Sequence, residues 1–275
     1  MSGVAAVVAA VRLVHPAPAA TVVATSAVLG AILSAQSGLD PGWRLALTTL
    51  AVAGSQIMTG ALNDWADRDR DRVAQPSKPI PSGAVSPAMA LWVAGFGVAL
   101  QLGASLPLGP VPLLLGAAAS ASAVAYNLWL SRTPLSVLPY LVSFGLLPLW
   151  VAAGVGVDLA RVAVAPLIIG PFAAAAHLAN TLRDFDADAR LGSRNLAQTL
   201  GRATAFRLAW GLVMAVGLGV GAALLVDAPV APASIGLGLV GLVAVGQGVA
   251  GPQRLWIGML VAAVCWTAAW ALVTA

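Results

Sequence analysis

Apolar residues run along the chain in nine blocks, approximately 17–37, 43–62, 87–106, 110–130, 135–156, 162–182, 203–226, 231–250 and 254–274. Each is close to the roughly 20 residues that a helix needs to cross about 30 Å of hydrocarbon. A segment in lipid must satisfy its own backbone, so the blocks are predicted to be helices. The breaks carry turn chemistry: GLDPGW at 38–43, LPLGP at 106–110, SRTP at 131–134, DAPVAP at 227–232 and GP at 251–252. LPLGPVP reads either as a break or as a kink in a longer helix. The expectation is an all-α membrane protein of nine transmembrane helices in a single membrane domain, 1–275. The residues before the first block show no signal-peptide cleavage pattern and read as a lead-in to the first helix.

Charge tests this topology. With the N-terminus in the cytoplasm, the even-numbered loops are cytoplasmic too. Those segments hold twelve of the 14 basic residues, leaving Arg44 and Arg161 outside. The positive-inside rule asks for this asymmetry, which predicts a bacterial-type inner-membrane protein. Asp40, Asp158 and Asp227 fall in the opposite loops.

Composition agrees with a lipid solvent. The chain is 60% hydrophobic and 9% charged, with a mean hydropathy of +0.92. Its 29 glycines suit close helix approach in lipid. The formal charge of +4 is spread between apolar blocks, which does not point to nucleic acid. A lone Cys265 gives neither an intramolecular disulfide nor a thiolate metal cluster. Trp43, Trp150 and Trp256 read as interfacial anchors near helix ends.

Two stretches break the pattern. Residues 62–83, LNDWADRDRDRVAQPSKPIPSG, hold eight of the 24 charged residues, and LRDFDADARLGSRNLAQTLGR, 182–202, repeats the theme. The acidic motif loops are expected at about 63–86 and 183–202. A wet loop accounts for charge but not for its spacing. Asp64, Asp67 and Asp71 stand at i, i+3, i+7, so they share one face if the second helix runs on past Asn63. Asp184 and Asp188 stand at i, i+4, while Asp69 and Asp186 fall off these faces.

Carboxylates gathered at one membrane end repel unless cations lie between them. Mg²⁺ suits such hard oxygen ligands, completing its shell with water and substrate phosphates. Neighbouring Arg72, Lys78, Arg183, Arg190 and Arg194 suit a diphosphate. A diphosphate at a membrane cavity implies a lipid tail, and the chemistry permitted is ionisation of an allylic diphosphate in a dry site. Trp65, Tyr126, Trp129, Tyr140, Phe144 and Phe185 are aromatic candidates to face the cation.

At these residues the sequence resembles the UbiA superfamily of intramembrane prenyltransferases. NDWADRDRDRVAQPSKPIPSG is similar to its first signature and RDFDADARLGSRNLAQTLG to its second, and the nine blocks match its helix order. The resemblance implies a UbiA-like fold around a central cavity. It also implies Mg²⁺-dependent transfer of an isoprenyl group from a prenyl diphosphate to a hydrophobic acceptor, aromatic, quinone-type or lipid, releasing pyrophosphate. Carried over by position, Asn63, Asp64, Asp67 and Asp71 form the first metal–diphosphate set and Asp184 and Asp188 the second. Lys78 and Arg194 are then basic diphosphate contacts with Arg132 a further candidate, and Tyr126 lines the cavity; Arg72, beside the first set, is read as neutralising the diphosphate. Asn180 stands where many members carry Lys and is a substrate-side candidate; Thr181 stands where others carry a third acidic residue. NTLRDFDAD resembles the menaquinone branch, whereas the first motif resembles branches with chlorophyll-type or glycerol-phosphate acceptors.

Two histidines remain. His15, beside Pro16, reads as an interfacial anchor rather than a general base. His177 reads equally as an acceptor-orienting group or as a satisfied intramembrane histidine. Gln56, Asn127 and Asn180 are interhelical glue or cavity lining. Rival functions are a membrane terpene cyclase, which keeps the site and quenches the cation internally, and a cation transporter. The transporter expects ionisable residues at mid-bilayer depth, where this chain has none of its Asp, Lys or Arg. A CDP-alcohol phosphotransferase expects a DGxxAR stretch, which is absent. Acceptor, prenyl chain length and oligomeric state stay open.

Overall fold

The computed structural model of the chain describes residues 3–226 and 232–274, with side-chain surroundings over 8–222 and 232–270. Asp227 and all of the DAPVAP turn but Pro232 lie outside the described residues. The elements are α1 (Gly3–Leu13), α2 (Pro16–Gln36), α3 (Gly42–Ala74), α4 (Pro87–Ser105), α5 (Pro110–Leu128), α6 (Leu138–Val155), α7 (Pro166–Arg183), α8 (Phe185–Arg190), α9 (Leu196–Leu200), α10 (Arg202–Val226), α11 (Pro232–Gly246) and α12 (Pro252–Thr274), with short 3₁₀ turns between some of them. No strand occurs among the described residues. Among the described residues nine long helices correspond one for one to the nine apolar blocks. By length and composition of the described residues, seven of them are long and apolar enough to cross a membrane. Of the other two, α7 carries His177, Asn180 and Arg183 in its last turns, and α12 opens on Pro-Gln-Arg.

Two expectations change, and one open alternative is decided. The lead-in is a helix of its own, α1, which ends at a corner over Val14 and His15. The first acidic stretch is not a loop from residue 63: α3 continues to Ala74, about three turns further. At LPLGP the chain breaks rather than kinks, because Gly109 takes φ 110 between the 3₁₀ turn Leu106–Leu108 and α5.

The exterior differs from that of a water-soluble protein. Trp92 is 76%, Leu167 75% and Leu114 68% exposed, whereas Ser34, Thr48, Gln101 and Asn127 are buried. That is the pattern of a multi-pass integral membrane protein, whose apolar exterior meets lipid.

The chain divides into two compact units, one of residues 1–131 and 146–163 and the other of 132–145 and 164–275. In the first, α3 and α4 cross backbone to backbone: a Cβ on Gly54 would lie 2.7 Å from Gly97 O, and one on Gly97 2.5 Å from Met58 N. Beside this crossing Ser55 and Ser120 share a hydrogen bond of 2.9 Å, and Ser120 donates to Gln101 at 2.8 Å. Trp150 is 2% exposed, packed over Gly116 with Ala51, Val52 and Ala119. It is therefore a core residue and not an interfacial anchor, because α6 places it over a glycine that leaves room for an indole. Arg44 donates to Leu108 O and Ala153 O, and Arg161 to Gln36 O. The two basic residues that stood outside the charge rule thus serve carbonyls at or near helix ends. In the second unit α7, α10, α11 and α12 enclose a core of Ala175, Leu178, Val213, Val245, Leu255 and Met259.

Candidate active site

The first acidic set rides on the last turns of α3. From Ala61 to Gln75 the sequence has neither Gly nor Pro, and local pairs sustain the helix. Arg72 binds Asp69 at 3.0 Å, and Arg68 donates to Trp65 O at 2.7 Å. Pro76 forces the stop. The chain then doubles back through KPIPSG: Ser82 N–H donates to Lys78 O and Val85 N–H to Pro79 O. Gly83 takes φ 76, which favours glycine. Buried Ile80 and Val85 anchor this turn against Leu13, Ala61 and Ala94.

The return aims Lys78 at the carboxylates. Its Nζ lies 2.8 Å from Asp71 Oδ2 and 3.0 Å from Asp64 Oδ1. Burial works against the ammonium charge, but the Asp71 hydrogen bond and the Asp64 charge hold its pKa above the ordinary lysine value. Asp64 is 1% exposed. Its Oδ1 also accepts from His15 Nε2 at 2.9 Å, while its Oδ2 is buried with no hydrogen-bond partner among the described residues. Asn63 Nδ2 donates to Asp67 Oδ2 at 3.4 Å and to Asn127 Oδ1 at 3.3 Å. Asn127, on α5, is itself fixed by donating to Thr59 O at 2.9 Å. Asp64, Asp67, Asp71, Asn63 and Lys78 are thus brought together. Arg72 is not: it sits on the exposed side, paired with Asp69. Tyr126 is half-buried, next to Asn127 on α5.

Lys78→Met removes the ammonium that bridges two buried carboxylates. In EDTA it is expected to destabilise the detergent-solubilised protein by about 3–5 kcal/mol, the usual cost of breaking a buried pair. A thermal melt checks this, and Lys78→Arg should restore most of the loss.

The second acidic set stands where α7 gives way to α8. Asp188 N–H donates to Asp184 O at 2.9 Å, which preserves the i, i+4 relation across the joint. Gly192, at φ 72, turns the chain, and Ser193 N–H returns to Asp188 O. Asn195, 2% exposed, caps α9 by accepting from Gln198 N–H, and its Nδ2 donates to Asp188 Oδ2 at 3.0 Å. Gln198 Nε2 donates to Phe185 O at 2.6 Å. The segment is fastened to the 131–136 turn: Arg194 N–H donates to Arg132 O, and Leu196 N–H to the buried Ser136 Oγ. Two predicted phosphate contacts, Arg132 and Arg194, are therefore neighbours, both exposed. Asp184 is exposed, and so is Asn180 one turn before it. Asp186 points away and pairs with Arg202 at 2.6 Å. Buried His177 stacks on Tyr140, centroids 4.3 Å apart, with Phe144 beyond.

His15, Asn127 and Asn195 each hold a motif residue and were not assigned that role from the sequence. Asn195 left a faint signal, an Asn at the start of a short helical pattern. The other two left none.

These donors fit Mg²⁺. Asp64 offers a buried, unpartnered carboxylate oxygen, and the surrounding ligands are hard oxygens. Among the described residues no group of three acidic, His or Cys side chains is placed to hold a metal ion by protein ligands alone.

Comparison with known proteins follows the same line. The family model described as the UbiA prenyltransferase family matches residues 22–254. The digeranylgeranylglyceryl phosphate synthase of Natronomonas pharaonis is 34% identical over 171 residues, 60% of this chain and 61% of that protein. The protoheme IX farnesyltransferase of Granulibacter bethesdensis is 34% identical over 50% of this chain and 44% of its own length. With these two relatives the match thus spans less than two thirds of their length. The digeranylgeranylglyceryl phosphate synthase of Pyrococcus abyssi is 30% identical over 76% of this chain and 79% of that protein. A UbiA homolog from Archaeoglobus fulgidus, solved bound to DMAPP and Mg²⁺, superposes with a TM-score of 0.69 at 17% identity, covering 96% of this chain and 98% of that one. The helix order, the two acidic sets and these matches agree, and the chain belongs to the UbiA prenyltransferase family.

Proposed function

We propose that the protein is a Mg²⁺-dependent membrane prenyltransferase. It moves an isoprenyl group from a prenyl diphosphate to a hydrophobic acceptor, aromatic, quinone-type or lipid, and releases pyrophosphate. The observation that carries this reading is the buried Asp64 carboxylate, with one oxygen unpartnered and the other sharing Lys78 with Asp71. Such a site needs more positive charge than one lysine supplies, and it offers hard oxygen for it. The DMAPP and Mg²⁺ bound by the Archaeoglobus homolog support the same class of ligand.

Asp64, Asp67 and Asp71 on α3 and Asp184 and Asp188 at the α7–α8 joint are the metal–diphosphate ligands. Bound Mg²⁺ supplies Lewis-acid stabilisation of the departing diphosphate. Asn63 orients Asp67. Lys78 donates to the diphosphate as a point charge, and Arg132, Arg194 and Arg72 neutralise it further. Tyr126 and Asn180 contact substrate. The carbon–oxygen bond of the donor breaks with its electron pair going to pyrophosphate. The acceptor then bonds that carbon and gives up a proton. The membrane is a bacterial-type inner membrane, the N-terminus and both acidic segments are cytoplasmic, and residues 1–275 act as one membrane domain.

Labelled geranyl, farnesyl and geranylgeranyl diphosphates, incubated with the pure protein and a membrane lipid extract, test this. A labelled lipid product that needs both extract and Mg²⁺ is expected. A labelled cyclic hydrocarbon or alcohol formed without extract would make the protein a cyclase instead.

Asn195→Ser keeps a capping oxygen for α9 but loses the reach to Asp188. It is expected to lower Mg²⁺-dependent pyrophosphate release about 10–100-fold, as loss of a ligand's supporting hydrogen bond does. The melting temperature should stay near wild type.

A further inference from the structure

We propose that His15 is a positioning residue for the first acidic set: its Nε2–H fixes Asp64 Oδ1 and leaves Oδ2 to take the metal. The inference rests on the metal–diphosphate reading above. An ionised carboxylate only accepts hydrogen bonds, so the ring nitrogen facing it carries the proton.

The first support is the asymmetry of the carboxylate. Both donors, His15 at 2.9 Å and Lys78 at 3.0 Å, converge on Oδ1. Oδ2 of the same 1%-exposed residue has no hydrogen-bond partner among the described residues. A buried carboxylate oxygen left bare is costly unless another ligand uses it.

The second support is the backbone. His15 has φ 52 and ψ 67, and it is the one non-glycine with positive φ among the described residues. A non-glycine residue is held there only where its surroundings over-determine it. The corner between α1 and α2 is indeed fixed. Leu13 is fully buried, and Gly60 passes so close beneath that a Cβ there would lie 2.8 Å from Val14 O. Arg12 Nη2 donates to Ser77 O at 3.1 Å, next to Lys78 in the returning turn. One corner therefore holds both the carboxylate and the segment that carries its lysine. A membrane-interface histidine, the reading from sequence, calls for none of these contacts.

The third support is a division of labour. Lys78 also binds Asp71, and its ammonium is the group assigned to the diphosphate. Once it turns to the substrate, His15 remains as the donor on Asp64 Oδ1. Groups that orient a metal's carboxylate ligand in this way set its affinity.

Three variants separate side chain from backbone. His15→Gly keeps the positive φ and removes the imidazole. His15→Ala removes the imidazole and leaves a Cβ strained at positive φ as in the wild type, and His15→Gln places an amide N–H near the position of Nε2. Each protein, in detergent with geranyl thiodiphosphate as an unreactive donor analogue, is titrated with Mg²⁺ and followed by thermal unfolding. The Mg²⁺ dependence of pyrophosphate release from geranyl diphosphate is measured beside it. The Gly and Ala variants are expected to need about 10–100-fold more Mg²⁺ for half-saturation. Their melting temperatures in EDTA should agree with one another to within the cost of the backbone change, and Gln should recover most of the affinity. A Gly variant with the wild-type Mg²⁺ midpoint, or a Gln variant no better than Ala, would overturn the proposal while leaving the site reading intact. A wild-type protein with no Mg²⁺-dependent shift, or an Asp67→Asn protein with an unchanged one, would remove the site reading and the proposal with it.

Discussion

Asp64→Asn is expected to lower Mg²⁺-dependent pyrophosphate release by at least about 10²–10³-fold, the loss that follows removal of one preorganised charge-stabilising group. The amide keeps the volume of the carboxylate, so packing against α1 and the returning turn survives. What changes is the charge beside Lys78 and the donor character of one of the two oxygens. An NH₂ group turned toward Oδ2's position repels a metal, and one turned toward His15 and Lys78 breaks both hydrogen bonds. Either rotamer disables the site. The control is Asp69→Asn, two turns closer to the helix end than Asn63 yet 67% exposed and, among the described residues, paired with Arg68 and Arg72. Exposed pairs of this kind contribute roughly 0–1 kcal/mol, so the control should keep near wild-type release. A stopped assay for pyrophosphate, run on both variants after size-exclusion chromatography, checks the contrast.

Gly97→Val is expected to cost about 3 kcal/mol or more, at the upper end of overpacking penalties. That corresponds to a fall in melting temperature of roughly 6–12 °C for a chain of this size. The reason is geometric. A Cβ at this position meets Met58 N at 2.5 Å and Gly54 O at 2.6 Å, both backbone atoms of α3 that cannot rotate away. The helices must part, and the hydrogen bonds among Ser55, Ser120 and Gln101 beside the crossing stretch with them. Because α3 carries the first acidic set, release per folded molecule should fall as well. Gly95, on the same helix, has nothing within 4 Å of an added Cβ. Gly95→Ala should be neutral or slightly stabilising, since alanine is favoured over glycine in helices by up to about 1 kcal/mol. Thermal melts of the two variants in detergent measure the difference.

Much of this molecule was legible in its sequence, for a physical reason. Lipid fixes the length and polarity of each spanning segment, so the nine long helices follow from the apolar blocks. The carboxylate spacing left a trace too: Asp69 and Asp186, which fall off the acidic faces in the sequence, pair instead with Arg72 and Arg202. What escaped were contacts between distant parts of the chain. His15 meets Asp64 across 49 residues and Asn63 meets Asn127 across 64. Neither pair leaves a periodic trace. Trp150 misled because tryptophan near a helix end suits both an interface and a core, and only its glycine partner on α5 decides. The run of α3 to Ala74 was conditional in the sequence, since charged residues are as common in loops as on wet helix ends. The turn KPIPSG announced a reversal, but not that it returns a lysine to the space between two buried carboxylates.

The most direct test of the central claim is pyrophosphate release by the pure protein in nanodiscs, with geranyl, farnesyl and geranylgeranyl diphosphates, in Mg²⁺ and then in EDTA. Wild type is compared with Asp67→Asn, from the first acidic set, and Asp188→Asn, from the second. The account predicts release that requires Mg²⁺ and is lost in both variants. Folded wild-type protein that binds no prenyl diphosphate and releases nothing, or release that survives EDTA and both substitutions, would contradict it.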